Sequence, residues 1–200
     1  MPAGPSEVMV IMDEEAEPRF VAADLLSQAE HGIDSQVVLL AVKVTDEKIK
    51  AVQQELKKQA ETLPRVDIIR QSLNKSFVIS FNHMSDALDF ANNYAPEHLI
   101  MNVKEASRYV DEIKNAGAVF LGPYSPESCG DYASGPNHTL PTYGYATMHS
   151  GVGVDTFIKY ITTQALTKEG MKGISEAVMT LADVEGLQGH KNAVKVRLEE

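Results

Sequence analysis

The sequence predicts an α/β fold: a mostly parallel sheet with flanking helices, followed by a C-terminal helical extension. Three observations predict it. Short runs rich in Val, Ile, Leu and Met alternate with amphipathic helical segments as far as Leu121. A long stretch rich in Gly, Pro, Ser and Tyr then breaks the periodicity. Beyond it, only helical patterning remains. The expected division is residues 1–152 for the α/β part and 153–200 for the helical tail.

The elements follow in order. Glu7 to Met12 is continuously apolar after its first residue, as a strand buried on both faces is. Glu17 to Glu30 has helical spacing at Phe20, Val21, Leu25, Leu26 and Ala29, and His31-Gly32 stops it. Gln36 to Val42 is a second strand, and Asp46 to Leu63 a charged amphipathic helix with Thr45 as its cap. Val66 to Ile69 and Phe77 to Phe81 read as short strands. Ser85 to Tyr94 reads as a helix ended before Pro96. Leu99 to Val103 and Ala118 to Leu121 are strands with a helix, Ala106 to Ala116, between them. This order implies an incomplete Rossmann-like arrangement with right-handed crossovers. Gly122 to Gly153 is loop, and Val154 to Thr163, Lys168 to Asp183 and Gly189 to Leu198 are helices.

Composition narrows the function. Of 200 residues, 44% are hydrophobic and 23% charged, ordinary for a globular chain with its own core. The net charge of −10 argues against nucleic acid or an anionic membrane as a partner, because phosphates need clustered Lys and Arg. The single cysteine, Cys129, allows no internal disulfide and fits a reducing, cytoplasmic setting. It reads as a small packed thiol rather than a nucleophile. No signal peptide or membrane span is legible. Pro2-Ala3-Gly4-Pro5-Ser6 runs straight into a strand, which reads either as a start inside a larger architecture or as a short natural leader.

Four polar constellations stand out. Gln28 and His31, three apart, project from one helix face and could form part of a zinc site. The bland reading is a C-terminal histidine bonded to the last carbonyls. Glu97-His98 after Pro96 pairs a carboxylate with an imidazole, suited to acid–base work, in what reads as an exposed turn at a strand edge. A solvated loop is the competing explanation. Asp131 and His138 lie in one loop with Gly130 and Gly135, whose freedom can bring such groups together. Glu185 and His190 flank a glycine-bearing connection between tail helices, which needs no site to explain it. A G-x-G-x-x-G turn, a Walker lysine, H-E-x-x-H and C-x-x-C are all missing from the sequence.

Taken in order, these stretches resemble the histidinol dehydrogenase family over essentially the whole chain. The resemblance runs from Gly4-Pro5-Ser6-Glu7 through Leu25 to Gly32 and Tyr94-Ala95-Pro96-Glu97-His98-Leu99. It continues through Gly130-Asp131-Tyr132, Asn137-His138-Thr139-Leu140-Pro141-Thr142 and Val184-Glu185-Gly186-Leu187 to His190. The resemblance implies one Zn2+ held by Gln28, His31, Asp131 and His190, which also contact substrate, and a catalytic pair Glu97 and His98. Ser6, His138 and Glu185 correspond to further substrate contacts. It implies two successive hydride transfers from L-histidinol to NAD, through an aldehyde, giving L-histidine. It also implies a homodimer in which the tail reaches the partner's site, and a cytoplasmic protein, or a plastid one in plants. Family members are longer, and their NAD-contacting residues precede the region matching Pro2, so no cofactor-binding residue for NAD is expected in this chain. The isolated chain is expected to turn over poorly or not at all. Two other readings remain: a non-catalytic module binding zinc and an imidazole ligand, and a related dehydrogenase acting on another small alcohol.

Overall fold

The computed structural model describes residues 1–199. It forms two compact units, Met1–Thr156 and Phe157–Glu200. Unit 1 holds a five-stranded sheet in which every pairing is parallel. Its strands are β1 (Glu7–Met12), β2 (Gln36–Val42), β3 (Phe77–Phe81), β4 (His98–Asn102) and β5 (Ala118–Leu121), in the order β3-β2-β1-β4-β5. Helices α1 (Pro18–Ala29), α2 (Asp46–Ala60), α3 (Val66–Leu73), α4 (Met84–Tyr94) and the short α5 (Glu127–Tyr132) provide the connections.

The two-residue period of β1 sorts its side chains between two cores. Val8, Val10 and Met12 pack with Val21, Leu25 and Ala29 of α1 and with Val52 and Ile69. Met9 and Ile11 pack on the opposite face with Ala87, Leu88 and Ala91 of α4. A strand wholly buried between two helical layers carries the unbroken apolar run that the sequence shows.

Three segments differ from expectation. Val66 to Ile69 is the start of helix α3, not a strand. Val66, Ile69 and Leu73 recur with helical spacing, and Ile69 is fully buried while Asp67 and Arg70 face water. Ala106 to Ala116 shortens to a 3₁₀ helix over Ala106–Glu112. The Asn92 side chain explains the stop: it accepts from the Lys114 and Asn115 N–H groups and donates to the Glu112 carbonyl. Val154 to Thr163 yields only the 3₁₀ turn Val154–Phe157. Phe157, Tyr160 and Ile161 stay exposed, so no buried apolar stripe supports a helix there.

Unit 2 contains α6 (Lys168–Val184) and α7 (Gln188–Leu198), joined through Gly186, whose φ of 72° requires a glycine-like turn. Thr167 caps α6 by accepting from the Gly170 N–H at 3.0 Å. Among the described residues no helix is long and apolar enough to cross a membrane.

In open parallel sheets, ligands usually sit beyond the carboxyl ends of the strands, where the order reverses. Here that place lies between β1 and β4, and the Asp13 carboxylate there is already engaged by two backbone N–H groups. Its Oδ1 accepts from the Glu15 N–H at 3.0 Å and its Oδ2 from the Lys104 N–H at 2.8 Å. Lys104 pairs with Glu15 at 2.7 Å. The polar groups left without internal partners gather instead at the opposite, amino edge.

Candidate active site

Glu7 opens β1 and His98 opens β4, and the register places Val8 beside His98. The Glu7 peptide therefore lies within reach of the turn that enters β4. Its N–H donates to Glu97 Oε2 at 2.8 Å. Its carbonyl accepts from His98 Nδ1 at 3.1 Å. One peptide thus orients both side chains. Because a carbonyl can only accept, the His98 proton sits on Nδ1 and Nε2 carries the lone pair.

Glu97 and His98 are 4% and 3% exposed, which corrects the expectation of an exposed turn. Pro96 does end the helical path, but β4 begins at once and draws the pair into the sheet. Burial has electrostatic consequences. Loss of water pushes the Glu97 carboxyl up to about 7; the Glu7 N–H opposes this, while the Glu7 and Asp131 charges add to it. Burial likewise lowers the His98 pKa, against the raising effects of the Glu7 carbonyl and of Asp131. His98 is thus held neutral, ready to accept a proton.

His98 Nε2 lies 3.6 Å from Asp131 Oδ1, beyond hydrogen-bond reach, so the two face one another without closing a bond. Asp131 rides on α5, and α5 is held close by Gly130. A Cβ there would meet Phe120 Cε1 at 2.5 Å, so only glycine lets the helix settle on that ring. Phe120 in turn packs against His98, with ring centroids 5.9 Å apart. Helix α5 was not anticipated within the loop. Cys129, on the same helix, is exposed rather than a packed thiol.

Helix α1 runs antiparallel to the strands, so its C-terminal turn returns to the same edge. Gln28 is 0% exposed, and neither its amide nitrogen nor its amide oxygen has a partner. His31 is exposed, and its Nδ1 bonds the Ser27 carbonyl at 2.9 Å, leaving Nε2 free.

Among the described residues, the buried side-chain atoms lacking any hydrogen-bond partner belong to Glu7, Gln28, His98 and Glu127. Such atoms are costly and rare, and their concentration at one edge marks a place built to meet something else. Glu7 and Glu127 were not singled out from the sequence. Glu7 Oε1 accepts from the Tyr143 N–H at 3.0 Å. Burial raises its pKa against the pull of the Tyr143 and Glu97 backbone bonds. Glu127 is 1% exposed, and burial pushes its carboxyl up to about 8 despite a bond from Ser27. A legible signal did exist: Glu127 and Asp131 are four apart and so share a helix face.

Four other expected residues complete the set. Ser6 is half-buried immediately before Glu7. His138 is exposed in the loop after α5. Glu185, which ends α6, and His190 on α7 are exposed residues of unit 2. Among the described residues no three His, Cys, Asp or Glu side chains form a metal-holding group. The expected ligands present in unit 1 are one imidazole, one carboxylate and one carboxamide. An apolar cavity of 420 Å³ in unit 1 lies elsewhere, against Leu25, Leu39, Val52, Leu56 and Phe77, and carries none of this chemistry.

Comparisons with known proteins place the chain in a family. The family model for histidinol dehydrogenase matches residues 1–198. The chain is 59% identical over 199 residues to a histidine biosynthesis trifunctional protein of Komagataella pastoris, spanning 100% of this chain and 24% of that protein. It is 54% identical over 200 residues to the chloroplastic histidinol dehydrogenase of Arabidopsis thaliana, spanning 100% of this chain and 43% of that one. The crystal structure of histidinol dehydrogenase from Elizabethkingia anophelis superposes with a TM-score of 0.94 at 51% identity, covering 100% of this chain and 46% of that chain. The chain thus spans less than half the length of each of these relatives. With the match extending across both units, the chain belongs to the histidinol dehydrogenase family.

Proposed function

We propose that this chain supplies the acid–base and zinc-binding portion of an NAD-linked oxidation of L-histidinol to L-histidine. The observation that carries the reading is the amino-edge cluster. An oriented imidazole whose pKa burial lowers, a carboxyl pushed up to about 7 and a buried amide with no partner share that edge.

His98 takes the proton of the substrate hydroxyl at Nε2, whose lone pair the Glu7 carbonyl exposes by holding Nδ1–H. Its lowered pKa keeps it competent near neutral pH. Glu97 takes a proton from the water that hydrates the aldehyde. Its pKa of about 7 keeps both its forms populated there. The second oxidation then has the same form as the first.

Gln28, His31 and Asp131, with a His190 contributed by a second copy, would hold the zinc. The donor set of carboxamide, imidazole and carboxylate suits that ion, and the unpartnered Gln28 amide supports its role as a ligand. Bound zinc would anchor and polarise the imidazole and amine of the substrate. NAD would accept the hydrides, with its contacts supplied by the remainder of the full-length enzyme. Ser6, His138 and the second copy's Glu185 are the further substrate contacts in this reading, which makes the active form a homodimer.

Exchange of this segment into the Arabidopsis enzyme tests the assignment, with NADH formation as the readout. The exchanged enzyme should turn over L-histidinol. His98→Asn within it should cost about 10²–10⁴-fold in kcat. Glu97→Gln should spare the first hydride transfer and slow the second. An exchanged enzyme indifferent to both changes contradicts the assignment. The isolated chain should form little or no NADH.

A further inference from the structure

Resting on the zinc-site reading above, we infer that Glu127 is a positioning residue that sets the two ligand-bearing elements against one another through Ser27. Gln28 and His31 ride on the C-terminal end of α1, whereas Asp131 rides on α5. Metal sites with ligands on separate elements depend on outer-shell bonds to fix the spacing. Among the described residues the hydrogen bond between α1 and α5 is Ser27 Oγ to Glu127 Oε1, at 3.1 Å.

Ser27 is the joint of this arrangement. Its carbonyl accepts from His31 Nδ1 at 2.9 Å and so aims the ring. Its hydroxyl lies 2.8 Å from the Asp24 carbonyl as well as near Glu127. Its chain neighbour is Gln28. Glu127 sits one helical turn before Asp131, so whatever fixes the Glu127 carboxyl also fixes the base of the aspartate. A carboxyl that is 1% exposed, with one oxygen on Ser27 and the other unpartnered, is costly as mere packing. Its role as the tie between the two ligand carriers explains why it is there.

The test uses the whole 200-residue chain. Zn2+ affinity is measured by competition with a chromophoric chelator, and ligand geometry by the visible absorption of bound Co2+. Glu127→Ala and Ser27→Ala should each weaken Zn2+ by about 10- to 100-fold and shift the Co2+ bands. Glu127→Gln, whose amide can still reach Ser27, should retain most of the affinity and the native bands. Should Glu127→Ala fail to fold, Ser27→Ala breaks the same bond from the other side. Native affinity and bands in the folded alanine variants overturn the inference, as does a Glu127→Gln variant impaired like Glu127→Ala. His31→Ala and Asp131→Ala separate the two levels. If they leave Zn2+ affinity intact, the zinc-site reading falls; if they abolish it while Ser27→Ala and Glu127→Ala do not, only the inference falls.

Discussion

Gln28 is a polar side chain that its own fold leaves unsatisfied. Its amide is fully buried with neither end bonded, a state that costs about 1–3 kcal/mol. Gln28→Leu, of similar shape, should stabilise the metal-free chain by about 1 kcal/mol and abolish the rise in melting temperature expected on adding zinc under the proposed function. Calorimetric melting with and without zinc checks both outcomes. Asp24 gives a second residue-scale prediction. Burial pushes its carboxyl from 3.8 to about 7. Between those values the folded chain binds more protons than the unfolded one, so this group lowers stability as pH rises through that window. Asp24→Asn should therefore gain about 1–3 kcal/mol at pH 8 and almost nothing at pH 3, as urea melts would show. The Gln28/His31 spacing and the Glu97-His98 pair were legible because their chemistry sits close together in sequence. Glu7 was not, because its partner Tyr143 lies 136 positions away, and Glu127 offered only its four-residue spacing from Asp131, its partner Ser27 lying 100 positions away.

At the scale of elements, the apolar runs revealed the five strands of the sheet, and the Thr45 cap revealed the start of α2. Thr45 does accept from the Lys48 N–H, at 3.3 Å. Thr45→Ala should cost about 1 kcal/mol of stability with no effect on zinc binding. Gly130→Ala should separate these properties in the opposite sense. The added methyl meets the Phe120 ring, so α5 must shift, costing about 1–3 kcal/mol and moving Asp131. Zinc affinity should fall along with stability, which titration beside a denaturant melt would detect. The segments misjudged from sequence were short or ended by distant groups. Val66 to Ile69 is too brief to declare its period, and the Asn92 bonds that cut the 106–112 helix come from another element. Helix α5 was hidden by its composition, with Cys, Gly and Asp in a six-residue span.

Across the whole molecule, the α/β class followed from the alternation of strand and helix, but the choice of sheet edge did not. Strand order decides which ends converge, and strand order is set by pairings between distant segments. In unit 2 the helices α6 and α7 were legible from periodicity, whereas the exposed apolar residues Tyr160 and Ile161 carry no pattern that pairing within the chain explains. The proposed function requires the amino edge of the sheet to be a zinc-dependent seat for an imidazole-bearing alcohol. Calorimetric titration of L-histidinol into the chain, with and without one equivalent of zinc, tests this most directly. Binding should appear only with zinc and vanish in Asp131→Ala. Binding that ignores both zinc and Asp131, or none in either condition, would contradict the proposed function.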